Sequence, residues 1–172
     1  MDQPFNDIHT DAHMSGVLGE TDYIATGNPN LNIVENQATD ANYCAGCNGS
    51  FELMFTSTSV GSASGVFGVG LNFGNFTPAV LYHAFVTFGD GTTADFALPF
   101  SGDLTAFWGI TSDLAINTID FGLANGGAAN TEAFVIDNLR ISAAPTAVPE
   151  PTSIVLLGSG VATLFIRRRR RN

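Results

Sequence analysis

The chain has 172 residues, 45% of them apolar and 13% charged, which suits one domain with a substantial core. Its formal net charge is −10, and residues 1–147 hold one base, Arg140, against fifteen acids. Without cations to displace phosphate counterions, this acidic body excludes nucleic acid as a partner. The acidity either keeps the protein soluble or attracts divalent cations.

The N-terminal residues are polar and lack the apolar run of a secretory signal. Because later features predict export, we expect the true start of the gene to lie upstream of Met1. A tail-anchored protein with a cytoplasmic body is the alternative. Asp7, His9, Asp11 and His13 recur at every second position, so in a strand they would share one face and could bind a transition metal. A solvated arm is the other interpretation.

Apolar and polar residues alternate along most of the chain, which predicts short β-strands with one face on a core. The predicted strands are residues 22–26, 31–35, 51–56, 67–73, 80–88, 93–100, 104–111, 116–122 and 132–141. Asp90-Gly91 predicts a hairpin turn, and residues 42–50, 61–65 and 125–127 predict loops. No amphipathic helix is predicted before residue 152. The pattern favours an all-β fold, an antiparallel β-sandwich of the jelly-roll kind over residues 1–143.

Cys44 and Cys47 are the two cysteines of the chain. A structural zinc site needs about four ligands, and a thioredoxin-like redox site needs a βαβ context. In an oxidising compartment the pair predicts a local disulfide, with a redox role as the alternative.

Asp137 shares its parity in the last predicted strand with Val135, Leu139 and Ile141, so a carboxylate is expected on an apolar face. A buried charge needs a partner. Calcium, held with backbone carbonyls and another acid, is one solution. In the alternative, Asp137 caps backbone N–H groups or faces a loop.

Several aromatic residues could stack on sugar rings, although most aromatic positions have the alternation of core residues. They are Phe107, Trp108, Tyr23, Tyr43 and Tyr82. No Gly-x-Ser-x-Gly elbow and no phosphate-binding loop occurs. The sequence therefore predicts no enzyme.

The C-terminal tail combines three segments. Residues 144–151 form a Pro-rich linker, and residues 152–166 are uncharged. As a helix, those fifteen residues would span about 22 Å, short of the roughly 30 Å hydrocarbon core, which snorkelling and bilayer thinning can accommodate. An arginine cluster ends the tail: Arg167, Arg168, Arg169, Arg170 and Arg171. Such clusters stay cytoplasmic, so residues 152–172 predict a transmembrane helix with the body outside. A buried helix with a basic tail is the alternative.

The tail resembles the PEP-CTERM sorting signal in three respects: the motif Val148, Pro149, Glu150 and Pro151, the apolar segment, and the arginine cluster. The resemblance implies export, recognition by an exosortase and an association with extracellular polysaccharide or biofilm matrix. The body also resembles the globular part of many PEP-CTERM proteins at residues 44–51, 65–70, 84–91, 107–112 and 134–139. That likeness implies a jelly-roll domain akin to carbohydrate-binding modules, which often hold a structural calcium.

We therefore expect a protein that is anchored in the membrane by its tail until an exosortase processes it, and that then resides at the cell surface or outside the cell. A structural or adhesive role in the matrix is predicted, with exosortase, membrane and polysaccharide as partners. The alternative is a carbohydrate-binding module with a structural calcium at Asp137.

Overall fold

The structure is a computed structural model that describes residues 8–19, 21–27, 32–37, 40–44, 49–75, 77–78, 80–129 and 134–143. Within these residues the chain forms ten β-strands and one short helix. The strands are β1 (Ile8–His9), β2 (Asp22–Ala25), β3 (Asn32–Gln37), β4 (Asp40–Cys44), β5 (Phe51–Met54), β6 (Val66–Asn75), β7 (Tyr82–Phe88), β8 (Thr93–Ala97), β9 (Ser101–Leu123) and β10 (Phe134–Ser142). The helix is α1 (Asp11–Leu18).

Every strand pairing is antiparallel, and β9 is the strand on which the sheet is built. Its first part pairs with β6, which continues the sheet through β10, β4, β3 and β1. Its second part lies between β5 and β7, with β2 and β8 at the outer edges. The all-β, antiparallel prediction is confirmed. The predicted strands at 104–111 and 116–122 are instead one 23-residue strand.

An irregularity in β9 allows the sheet to curl. Gly68 is paired with Thr111 and Val66 with Ile116, so four residues of β9 lie opposite one residue of β6. Extra residues on one side of a ladder bend the strand and increase its twist. The described strands therefore form one continuous curled sheet.

The core lies inside the curl. Phe134 of β10 is fully buried, and its ring centroid lies 4.8 Å from that of Tyr82 on β7 and 5.4 Å from that of Phe121 on β9. In the sheet order β10 is separated from β5 by β6 and β9, yet the rings of Phe134 and Phe51 are 5.9 Å apart. The two arms of the sheet therefore face each other across this aromatic cluster.

The helix α1 was not predicted. Its first turn begins after Thr10, whose carbonyl accepts a hydrogen bond from the Met14 amide, and Gly19 follows its last residue with a φ of 79°. The Ser15 hydroxyl accepts a hydrogen bond from the Tyr23 amide, and Met14 is buried in the core. Contacts with the folded body stabilise this short helix, which explains why its own sequence shows no amphipathic pattern.

Strand β4 corrects the predicted loop at residues 42–50. Asp40–Cys44 pairs with β3 at five positions, and Tyr43 also pairs with Ile136 of β10. Asn42, Tyr43 and Cys44 lack apolar alternation, so the sequence did not reveal the strand. The predicted hairpin at Asp90-Gly91 is confirmed between β7 and β8.

Among the described residues, no helix has the length and apolar character needed to cross a bilayer. The predicted span at residues 152–172 lies outside the described residues, as does the linker at 144–151.

Candidate ligand-binding surfaces

The aromatic side chains suggested for sugar stacking separate into core and surface. Tyr23 and Tyr82 are fully buried. Trp108 packs against the core and makes an edge contact with Phe121 at 5.9 Å. The side chain of Tyr43 lies outside the described residues. Phe107 is 64% exposed, so of the described members of this set it is the one available to a ligand.

Phe107 lies against glycine. Its ring atom Cζ is 2.9 Å from the position a Cβ on Gly70 would occupy, and 3.0 Å from the corresponding position on Gly109. Gly70 and Gly109 are direct cross-strand partners on β6 and β9. Because neither has a side chain, the ring can fold down onto the sheet instead of standing upright from it.

Arg140 continues this row of residues onto β10, since it is the cross-strand partner of Gly70. The next row contains Ser142, Gly68 and Thr111. These positions lie on the face of the sheet that points away from the core. On β6 the adjacent residues Val69 and Leu71 are buried, and successive side chains of a strand point to opposite faces. We call this surface the Phe107 face, defined by Gly68, Gly70, Phe107, Gly109, Thr111, Arg140 and Ser142.

A second surface lies on the outer side of the other arm. Cross-strand pairing places Glu52 of β5 beside Asp120 of β9, Asp120 beside Phe85 of β7, and Phe85 beside Asp95 of β8. The neighbouring core residues Leu53, Ile119 and Ala84 are fully buried, so this row points away from the core. We call it the acidic face, defined by Glu52, His83, Phe85, Asp95 and Asp120.

The carboxyl groups of the acidic face are unequal. Burial raises the pKa of Asp120, and a 3.2 Å hydrogen bond from the Thr26 hydroxyl partly opposes this. Burial, and then the charge of Asp120, raise the pKa of Glu52. His83 Nδ1 lies 2.6 Å from Asp95 Oδ1, and its ring stacks on Phe85 at a centroid distance of 5.8 Å. Together these groups offer hydrogen-bond donors and acceptors next to an aromatic ring.

The prediction that Asp137 shares an apolar face with Leu139 and Ile141 is wrong, because a β-bulge lies between them. Asp137 pairs with Asn72 and Arg140 with Gly70, so Asn138 and Leu139 both lie opposite Leu71. Asn138 adopts a φ of 52°, which Asn tolerates better than most residues. The extra residue shifts the alternation, so Leu139 and Ile141 pack on the core while the Asp137 carboxylate points to the other side of β10.

Asp137 is 8% exposed, and its two carboxylate oxygens accept hydrogen bonds from Asn138, from the backbone amide at 2.7 Å and from Nδ2 at 2.8 Å. This arrangement matches the alternative in which Asp137 caps N–H groups. Within the described part of the chain, no group of three or more His, Cys, Asp or Glu side chains is placed to hold a metal ion. Calcium at Asp137 stays a prediction.

The prediction that alternate N-terminal residues share one face of a strand and bind a metal is wrong for the residues that the structure describes. His9 ends β1, whereas Asp11 and His13 belong to α1, in which residues two apart do not share a face. Asp7 lies outside the described residues.

Cys47 also lies outside them, so the disulfide with Cys44 stays a prediction. The same holds for the structure of the sorting motif and for the arginine cluster.

Sequence reasoning did not single out Arg140, Glu52 or Asp120 as parts of a surface. The isolation of Arg140 as the one base of the body was visible, but its position beside Phe107 depends on a register that no local pattern encodes.

Comparison with protein families identifies the tail. Residues 147–171 match the family described as the PEP-CTERM protein-sorting motif. The match confirms the sorting signal predicted at residues 148–151, and it implies export and processing by an exosortase. The search for related curated proteins found no match.

Comparison with solved structures finds carbohydrate-binding modules. A variant of a family 29 module shares 15% identity and a TM-score of 0.39 over 74% of this chain and 98% of that one. Another family 29 variant, complexed with cellulohexaose, shares 14% identity and a TM-score of 0.40 over 73% of this chain and 94% of that one. A family 61 module in complex with β-1,4-galactotriose shares 17% identity and a TM-score of 0.36 over 71% of this chain and 81% of that one. These likenesses are distant, and the ligands of those modules are not transferred to this chain.

Proposed function

We propose that this chain, which carries a PEP-CTERM sorting motif, is an exported cell-surface or matrix protein whose β-domain has an adhesive and non-catalytic role. The observation that carries the proposal is the sorting match at residues 147–171. The uncharged segment at residues 152–166 would hold the precursor in the membrane, and the arginine cluster would keep its end cytoplasmic. The exosortase would then transfer the body, a domain of the jelly-roll kind, to the surface or the biofilm matrix.

Expression of the gene in hosts with and without the exosortase tests the delivery. With the enzyme we expect the body outside the cell, with the mass of a chain shortened near Pro151. Without it we expect the intact chain in the membrane fraction. Glu150→Ala should block the shortening, whereas Pro145→Ala, in the same linker but outside the motif, should not. A product that stays soluble in the cytoplasm with Arg167–Arg171 intact contradicts the proposal.

Adhesion through polysaccharide is supported by the Phe107 face, because an exposed aromatic ring lying along a sheet can stack on the apolar side of a sugar ring. A glycan array with the full-length chain in detergent measures this binding. Phe107→Ala should weaken it. Leu81→Ala is the matched control, since Leu81 is 63% exposed and lies outside both faces. Equal binding by the Phe107 variant and the parent would remove this face from the proposal.

A further inference from the structure

The geometry points to an acidic polysaccharide as the ligand of the Phe107 face, with a sugar ring on Phe107 and the carboxylate of a uronate residue at Arg140. This inference rests on the proposed polysaccharide adhesion and specifies its substrate class. It follows from the position of a single cation, from the lack of a salt bridge between that cation and any described residue, and from the shape of the surface beside it.

Arg140 is the one basic residue before the terminal arginine cluster. It pairs with Gly70, and the Phe107 ring lies over Gly70. Because neighbouring strands are about 4.8 Å apart, the Arg140 backbone is one strand away from the glycine beneath the ring. Arg140 and the exposed Phe107 ring therefore occupy adjacent positions of one surface.

Arg140 is exposed and forms no salt bridge with any described residue, although the chain contains sixteen acids. Asp137, on the same strand, is largely buried and accepts two hydrogen bonds from Asn138. A guanidinium group without a salt bridge to the described carboxylates is available to an external one, and its planar fork fits a carboxylate with two parallel hydrogen bonds.

The surface around the ring suits a sugar better than a bulky apolar group. Gly70 and Gly109 leave the ring low on the sheet, and Thr111 and Ser142 place hydroxyl-bearing residues in the next row. A pyranose presents C–H groups on its face and hydroxyls at its edge. Phe107, the two hydroxyls and Arg140 match the face, the edge and the acid of a uronate sugar, respectively.

The negative body limits which acidic polymer can bind. Asp103 and Asp113 lie four and six residues from Phe107 along β9, about 13 and 20 Å at about 3.3 Å per residue. These separations exceed the Debye length of about 8 Å in physiological salt, so their repulsion at the site is weak. Asp137 is nearer, because its cross-strand partner Asn72 is also the partner of Phe107. Its carboxylate is only 8% exposed and accepts hydrogen bonds from Asn138, so it presents little charge at the surface. A dense polyuronate would still meet the other acids. We therefore assign a polymer in which uronate residues are separated by neutral sugars.

The test uses glucuronoxylan, whose glucuronate branches are spaced along a neutral backbone, and the same polymer after chemical reduction of its carboxyl groups. The full-length chain in detergent should bind the native polymer about fivefold more tightly than the reduced one, the effect expected of one solvent-exposed ion pair. Added salt should remove the difference. Arg140→Gln should abolish the preference and keep the weaker binding, Arg140→Lys should retain part of it, and Phe107→Ala should weaken binding to both polymers.

The possible outcomes distinguish the acidic-ligand inference from the more general proposal of polysaccharide adhesion. Equal binding of both polymers, unchanged by Arg140→Gln, would overturn the acidic ligand and leave polysaccharide adhesion standing. Failure of the folded parent protein to bind either polymer would overturn the inference, while the glycan array decides adhesion independently. Full displacement of the native polymer by polyglutamate would show that charge alone is recognised, which would also overturn the uronate assignment.

Discussion

Glu52 on β5 and Asp120 on β9 are direct cross-strand partners, so two carboxyl groups lie side by side on the outer face of the sheet. Burial raises the pKa of both, and the charge of Asp120 raises the pKa of Glu52 further. Like charges directly opposite each other destabilise a ladder. The fold tolerates this pair because the aromatic core on the other side of the same strands supplies the favourable free energy.

Replacing one of these acids should stabilise the protein at neutral pH. An acid whose folded-state pKa is raised binds its proton more tightly in the folded chain, so stability falls as pH rises from the ordinary pKa through the raised one. Asp120→Asn retains an oxygen for Thr26 and removes the charge. Its Tm should exceed that of the parent at pH 7, and the gain should disappear below about pH 3.9, the ordinary pKa of Asp.

Asp90→Asn is the control of opposite sign, because hydrogen bonds from Thr92 lower the pKa of Asp90. The Asp90 carboxylate stabilises the fold above its ordinary pKa, and this contribution is lost as pH falls through the lowered value. This variant should therefore gain no Tm at pH 7. An unchanged or lower Tm of Asp120→Asn at pH 7 would contradict the destabilising pair.

Truncation of Phe134 should be among the most damaging changes in the core. Its ring contacts those of Tyr82, Phe121 and Phe51, which belong to the arm of the sheet opposite its own. Phe134→Ala should lower the free energy of unfolding by about 3–5 kcal/mol, the usual cost of removing a fully buried aromatic ring. Phe100→Ala, at a half-exposed position, should cost less than about 1 kcal/mol. Urea denaturation measures both, and similar losses would mean that the arms do not close on Phe134.

Gly65→Ala should be destabilising for reasons of space as well as backbone conformation. Gly65 has a φ of 123°, and a Cβ there would overlap the carbonyl oxygen of Ile116, next to the irregularity in β9. Gly126 has a φ of 76° with open space around it. Gly126→Ala should therefore cost about 1 kcal/mol from conformation alone, and Gly65→Ala clearly more. Equal unfolding free energies of the two variants would show that β9 adjusts without strain.

The sequence predicted the strands whose two faces differ and missed the relationships between strands. Alternation around Phe51 and Phe73 was sufficient to place β5 and β6 with their buried faces. It could not show that Arg140 pairs with Gly70, because a period of two defines a face and leaves the partner open. It also failed at Asp137, where one additional residue at Asn138 shifts the alternation for the rest of β10. Chemistry at the surface depends on such registers, so the faces emerged only from the structure.

Gly70→Ala should impair ligand binding without unfolding the protein. The new Cβ would lie 2.9 Å from Phe107 Cζ, and the exposed end of that side chain can move away at little cost. The ring would lift from the sheet and lose its position beside Arg140, while alanine should stabilise the strand by roughly 0.5–1 kcal/mol relative to glycine. Gly102→Ala, where the new Cβ would meet its nearest neighbour at an ordinary 3.6 Å, is the control on the adjacent strand β9. Binding of glucuronoxylan should fall several-fold for Gly70→Ala alone, with Tm equal to or above that of the parent. Undiminished binding by Gly70→Ala would mean that the resting position of the Phe107 ring does not determine recognition.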